Sequence, residues 1–419
     1  MSSPVTSVPR PLAASFSEAV RQLSETDGDY VPQLVATALQ EARRHRASDI
    51  HLTPAADGLV MQWRIDGVLQ TVARFDRELG QRLVARTKVM AGLLTYRNDQ
   101  PQEGRMTAVG EESPVGGAET RVATFPTLYG ERSAIRLFAD TSQFQTLADI
   151  RLPDEIEQHL RHALEQTAGV ILLTGPSGSG KTTTVYSCLR EILAMAGDSR
   201  CVMTIEDPIE QALDGTTQSQ VRSSVDFNLG DGLRAVMRQD PDVIMVGEIR
   251  DAETAEQVFR AALTGHLVLT TFHAGSCAEA VVRLIELGID PWLIRSTLRS
   301  VVCQRLMRES CSCSKLSGEF ENQNETSDNT GTRIVQSCCE DCSGTHYLGR
   351  FVLAEHLTPD NPSLSAAVLD RADTSTLESI AKEGGMTKLG DRSKEAVAAG
   401  RTTMEEVYRV LGRTAVHSN

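Results

Sequence analysis

The sequence predicts an α/β chain of two lobes, the larger built on a mostly parallel sheet with helices on its faces. Three observations predict it. From Arg151 onward, helical periodicities alternate with short apolar runs, the pattern of helix-flanked parallel strands. One such run, Gly169-Val-Ile-Leu-Leu-Thr174, leads directly into Gly175-Pro-Ser-Gly-Ser-Gly-Lys-Thr182, a complete G-x-x-x-x-G-K-[ST] loop. The polar stretch from Ala139 to Thr146 has neither a helical nor a strand period and marks a linker between the lobes.

Taken in order, residues 1–30 are rich in Ser, Pro, Thr and acidic groups and read as a mobile arm or a short docking segment. Val31 to Arg46 reads as a helix, with Leu34, Val35, Ala38, Leu39 and Ala42 on one face. Residues 1–46 thus precede a mixed α/β lobe over 47–140. In that lobe Asp49–Pro54 and Leu59–Ile65 read as strands, and Asp66-Gly67 is a hairpin-turn dipeptide that leads into a third strand, Val68–Ala73. A helix from about Arg77 to Tyr96 and strands near Thr120–Thr124 and Ser133–Phe138 complete it. A linker over 141–150 leads to the larger lobe, 151–419, with a cysteine-rich insert at 305–345 and a helical region at 358–419.

At 419 residues the chain is long enough for two or three domains with a substantial core. Its 42 basic and 56 acidic side chains leave a net charge of −14, which argues against a nucleic-acid-coating protein. No apolar run approaches the ~20 residues that span a bilayer, and residues 1–10 lack an apolar signal core, so a cytoplasmic location is expected. There the nine cysteines stay reduced or bind metal, and five of them fall between 311 and 342.

The glycine loop identifies a nucleotide site. The loop Gly175, Pro176, Ser177, Gly178, Ser179, Gly180, Lys181, Thr182 and Thr183 turns its backbone N–H groups and a helix N-terminus toward phosphates. Lys181 reaches the β/γ-phosphates, and Thr182 the Mg²⁺. Ligands of an open parallel sheet bind beyond the carboxyl ends of its strands. Three further apolar runs end there in ionisable residues: Cys201–Ile205 in Glu206, Asp242–Val246 in Gly247-Glu248, and His266–Phe272 in His273. Glu248 is read as the carboxylate that organises Mg²⁺ or polarises water, and Glu206 as a second carboxylate, a base or water-positioning group. His273, with His266 at the other end of its run, is read as a sensor of the γ-phosphate or a bridge from it to a neighbouring subunit.

The blocks Gly175–Thr184, Thr204-Ile-Glu-Asp-Pro-Ile-Glu210, Arg238–Asp251 and Thr264–His273 together resemble the Walker A, Asp box, Walker B and His box of the secretion ATPase superfamily. Within it the chain resembles the type II secretion and type IV pilus assembly ATPases, over about Ala47 to Val410. The resemblance implies a RecA-like lobe behind a PAS-like one, a hexamer, and ATP hydrolysis with Mg²⁺ that drives lobe motion. It also implies an inner-membrane platform protein and a cytoplasmic docking protein as partners, hence a peripheral place at that membrane. Arginines of the first lobe, carried over to Arg105 in Gln102-Glu-Gly-Arg105 and to Arg121, are implied to meet the nucleotide phosphates. Assembly-type members carry C-x-x-C twice, whereas this chain has Cys311-Ser-Cys313 and Cys339-Glu-Asp-Cys342, with Cys338 adjacent. Four thiolates can still form a tetrahedral Zn²⁺ site in spite of the tight first pair, and that reading stands against unligated thiols. Residues 1–46 are too short for the extra N-terminal domain of larger members. Two other readings stand beside the motor: a conjugation- or DNA-uptake-type ATPase, and a nucleotide-binding scaffold that does not hydrolyse.

Overall fold

The computed structural model describes residues 11–24, 28–106, 120–137, 144–221, 227–315, 339 and 341–413. The chain divides into two compact units, residues 1–140 with 310–349, and residues 141–309 with 350–419.

The first unit opens with helices α1 (Pro11–Arg21) and α2 (Tyr30–Arg44), followed by strands β1 (Ala47–Ala55), β2 (Gly58–Ile65) and β3 (Val68–Phe75). Helix α3 (Arg77–Met90) and strands β4 (Gln102–Met106), β5 (Thr120–Thr127) and β6 (Gly130–Leu137) follow. The strands form one antiparallel sheet in the order β3-β2-β1-β6-β5-β4. At the β2–β3 turn, Asp66 and Gly67 both adopt positive φ, 48° and 82°, the mirror-image geometry that their dipeptide favours. Helix α3 stops six residues short of the expected Tyr96, because Gly92 turns left-handed at φ 68° and the Leu93 N–H returns to the Lys88 carbonyl.

The N-terminal segment differs from the expected arm. Where described, it belongs to the core of this unit, since Leu12 and Phe16 are buried and the Phe16 ring meets Trp63 edge-on at 5.6 Å. Leu12, Phe16 and Val20 recur every four residues, so one helical face is apolar although the surrounding composition is polar. Residues 1–10 and 25–27 of that expectation lie outside the described residues.

The second unit contains α4 (Asp154–Leu164), β7 (Gly169–Thr174), α5 (Lys181–Ala196), β8 (Val202–Glu206), β9 (Thr217–Gln220) and α6 (Leu229–Val236). It continues with β10 (Val243–Val246), α7 (Ala252–Leu263), β11 (Leu267–Phe272), α8 (Cys277–Glu286), α9 (Pro291–Thr297) and β12 (Leu298–Ser310). The chain returns to the first unit for the single turn α10 (Ser312–Lys315), then resumes with β13 (Tyr347–Leu357) and α11 (Pro362–Leu369), α12 (Thr374–Glu383), α13 (Leu389–Ala398) and α14 (Met404–Leu411).

The strand order here is β13-β12-β7-β11-β10-β8-β9, and the pairs from β12 to β9 are all parallel. Strand β7 is buried on both faces, and its side chains alternate between two cores. Val170 and Leu172 enter the core shared with α6 to α9 and the C-terminal helices, while Ile171 and Leu173 enter the one shared with α4 and α5. The expected linker 141–150 does not hang free where it is described, since Leu147 and Ile150 are buried in that second core. The expected insert also starts later than 305: residues 305–310 finish β12, a strand whose charged second half hides its period. Residues 316–338, including Cys338, and residue 340 lie outside the described residues. Among the described residues no helix is long and apolar enough to cross a membrane.

Candidate functional site at the carboxyl edge of the parallel sheet

The parallel order β7-β11-β10-β8 brings the loop after β7, His273 after β11, Glu248 after β10 and Glu206 at the end of β8 to one sheet edge. Each arrives there because an apolar strand stops where the sheet stops burying it.

The loop after β7 is shaped by its glycines. Gly175, Gly178 and Gly180 adopt φ of 142°, 75° and 91°, which non-glycine residues avoid. A Cβ on Gly175 would also lie 2.5 Å from the Gln304 carbonyl oxygen. Gly178 has open space where a Cβ would stand, and the buried Ser179 hydroxyl has no hydrogen-bond partner among the described residues. Pro176 and Ser177 are exposed at the loop's crest, and Thr182 and Thr183 occupy the first turn of α5. Lys181 is only 8% exposed and donates from Nζ to the carbonyls of Gly175, at 2.8 Å, and Pro176, at 3.0 Å. Burial lowers its pKa, the Glu248 carboxylate opposes that shift, and Arg305 adds to it. A buried cation bonded only to carbonyls, at a helix N-terminus with an open glycine crest, fits a polyphosphate.

Glu248 and His273 meet: His273 Nε2 lies 3.0 Å from Glu248 Oε1. The other Glu248 oxygen is 3.3 Å from Arg250 Nε, and Arg250 bonds Asp207 at 3.0 Å. This carboxylate is partly exposed, open to a ligand. Glu206 is not. It is 2% exposed, and its oxygens accept from Tyr186 Oη at 2.5 Å, Thr204 Oγ1 at 2.6 Å and Gln218 Nε2 at 3.1 Å. Burial and the bond to Glu206 push the Tyr186 phenol well above its ordinary range, so Tyr186 stays a donor.

A model of the family described as type II/IV secretion system protein matches residues 24–409. The chain belongs to that family. It is 39% identical over 393 residues to "Type II secretion system protein E" of Pectobacterium carotovorum subsp. carotovorum, covering 93% of this chain and 77% of that one. It is 35% identical over 412 residues to "Type IV pilus assembly ATPase TfpB" of Acinetobacter baylyi, covering 95% and 69%. The crystal structure of the pilus retraction motor PilT with bound ADP superposes with a TM-score of 0.59 and 25% identity, covering 89% of this chain and 96% of that one. The Legionella pneumophila ATPase DotB, at a TM-score of 0.63 and 22% identity over 90% and 94%, shares the fold. The RecA-like reading of the parallel sheet agrees with these neighbours.

Within this secretion-family chain, not every residue singled out in the sequence reaches the site. His266 precedes β11 and His273 follows it, so the two stand at opposite sheet edges, roughly 20 Å apart at about 3.3 Å per residue. His266 Nδ1 lies 2.9 Å from the Ala261 carbonyl, closing the end of α7. That is a structural bond, and the structure does not bring His266 to the phosphate loop. In the first unit, Arg105 on β4 and Arg121 on β5 are directly opposite each other, so their side chains share one face of the sheet.

The four cysteines do converge, in the first unit. Their sulfurs all lie within 4.8 Å of one another, with Cys311 to Cys339 at 3.4 Å and Cys313 to Cys342 at 3.6 Å. A tetrahedron with metal–sulfur bonds of about 2.3 Å has edges of about 3.8 Å, so the set fits Zn²⁺. Burial raises Cys311 and takes Cys342 up to about 12. At Cys313 burial is outweighed by hydrogen bonds from the neighbouring cysteines, which bring it down to about 6. Four sulfurs this close cannot all ionise without a cation among them.

Sequence reasoning missed Tyr186, Arg250 and Arg305. Arg250 was visible as the cation two residues after Glu248. Tyr186 and Arg305 find their partners only through strand order.

Proposed function

We propose that this chain is an ATP-hydrolysing motor, working as a homohexamer that powers assembly of a pilus or pseudopilus from the cytoplasmic side of the inner membrane. The observation that carries this reading is the shared sheet edge, where Lys181 and the Glu248–His273 pair stand together in a chain of the type II/IV secretion family. The relatives named for type II secretion and type IV pilus assembly support the choice of machine. ATP is the substrate, with Lys181 on its β/γ-phosphates. Thr182 and Glu248 are the groups that would hold Mg²⁺, which supplies charge neutralisation on the phosphates. Glu248 and His273 orient the attacking water, and Glu206, once Tyr186 or Thr204 yields, is a second acceptor for its proton. An inner-membrane platform protein and a cytoplasmic docking protein are the partners that would receive the motion. Complementation of a strain lacking its own copy tests this: wild type should restore assembly of the fibre, and a hydrolysis-dead variant should not.

Arg105 and Arg121 are proposed to act on the nucleotide phosphates. Two guanidiniums side by side on one sheet face suit a polyanion. Alanine at either is expected to lower kcat far more than ATP affinity, by about 10³-fold where the arginine meets the transferring phosphoryl group. Steady-state kinetics with nucleotide titration on the assembled variants read this, and an unchanged kcat in both removes the role.

Cys311, Cys313, Cys339 and Cys342 are proposed to hold one structural Zn²⁺. Elemental analysis of protein purified without chelators should find about one zinc per chain, and alanine at Cys342 should lose it. A folded wild type free of metal would leave four ordinary thiols.

A further inference from the structure

Arg305 belongs to none of the motifs that the sequence singles out, yet it occupies the nucleotide edge. It follows Gln304 near the middle of β12, the strand on the far side of β7 from β11, and its side chain crosses the end of β7. Its Nη2 donates to the Gly275 carbonyl at 2.8 Å, and its Nη1 to the Gln304 carbonyl at 2.9 Å, with the Cys303 sulfur at 3.4 Å. Nη1 would stand 3.3 Å from a Cβ on Gly175, so the guanidinium lies against the first residue of the phosphate loop. All these acceptors are neutral. The guanidinium therefore brings its positive charge to the loop, where it disfavours the protonated form of Lys181.

Gly275 is two residues beyond His273, in the segment that runs from β11 to α8. That segment is held at other points: Thr174 Oγ1 reaches the Ala274 carbonyl at 3.5 Å, Glu279 accepts from the Gly275 N–H at 2.6 Å, and the buried Glu355 accepts from the Cys277 N–H at 2.7 Å. Arg283 also donates to the carbonyl of His273 itself, and Cys303 Sγ reaches the Gly275 carbonyl at 3.4 Å, while Thr174 directly precedes Gly175. Among the described residues that hold the segment, Arg305 is the cation whose side chain also packs on Gly175. We propose that Arg305 is a positioning residue that latches the His273 segment to the phosphate loop, so that filling of the loop sets the His273 imidazole against Glu248. Phosphate that shifts Gly175 would move the guanidinium and, through its bond to the Gly275 carbonyl, the segment that aims His273. This rests on the reading of Glu248 and His273 as hydrolytic groups.

The test is steady-state hydrolysis and ATP and ADP binding by the assembled full chain carrying Arg305→Met, Arg305→Lys, His273→Ala, and Arg305→Met with His273→Ala. Arg305→Met is expected to bind ATP and ADP within about threefold of wild type, because Lys181 and the loop amides remain, while kcat falls by about 10²-fold, the loss that a misplaced reacting group causes. Arg305→Lys keeps one donor for the Gly275 carbonyl and should recover part of that loss. If Arg305 acts through His273, the double variant is no slower than the slower single variant. Losses that multiply in the double variant, nucleotide affinity that falls in step with kcat, or wild-type kcat in Arg305→Met would each overturn the latch. Full activity in His273→Ala would instead remove the underlying reading of the site, so the two failures are distinguishable.

Discussion

Lys181→Ala is expected to abolish turnover, with a loss of at least about 10²- to 10³-fold, the typical result of removing one preorganised donor to developing charge. Lys181 is nearly buried, and its Nζ is held by two loop carbonyls at 2.8 and 3.0 Å, poised within the glycine cradle. Alanine leaves those carbonyls without their donor and the loop without its buried cation, so ATP and ADP affinity should fall as well. Helix α5 keeps its buried face of Val185, Cys188, Leu189 and Ile192, and the far-ultraviolet circular dichroism should be unchanged. Hydrolysis at the wild-type rate in assembled Lys181→Ala would mean that the phosphates bind elsewhere.

Glu248→Gln separates binding from chemistry. The amide has the same shape and still accepts from His273, but it carries no charge for Arg250 or for a metal and cannot take a proton. ATP affinity is expected to stay within about threefold of wild type, while kcat falls by about 10²- to 10⁴-fold, the range for a positioned acid–base group. Equilibrium binding beside single-turnover hydrolysis reads the two effects separately. Loss of binding with intact chemistry per bound ATP would assign Glu248 a structural role.

What could be read from the sequence follows from the range of the interactions. The phosphate loop is set by a local glycine pattern and a buried strand, so Gly175 to Thr183 stand where their spacing places them. Glu248 and His273 were legible for a similar reason, since each ends a run of apolar residues and the parallel register does the rest. Asp66-Gly67 likewise carries its own turn. Strand β9, Thr217-Gln-Ser-Gln220, is polar throughout and becomes a strand only by pairing with β8, yet it supplies the Gln218 that holds Glu206. In β12, Arg and Glu interrupt the apolar pattern after Cys303, so neither its length nor the reach of Arg305 to Gly275 was visible. The pairing of His266 with His273 failed on geometry: two residues that flank a six-residue strand face opposite edges of the sheet. Glu206 was legible as a strand-end carboxylate, but its burial under Tyr186, on the helix that follows the phosphate loop, was not.

Whether this edge hydrolyses ATP or merely holds it separates a motor from a nucleotide-binding scaffold. The direct measurement is release of inorganic phosphate from ATP and Mg²⁺ by the assembled wild-type chain, with Lys181→Ala measured in parallel and bound nucleotide quantified in both. Wild type is expected to release phosphate steadily over many turnovers, and the variant none above background. Wild-type protein that binds ATP stoichiometrically and releases no phosphate would contradict the motor reading, leaving a nucleotide-binding scaffold.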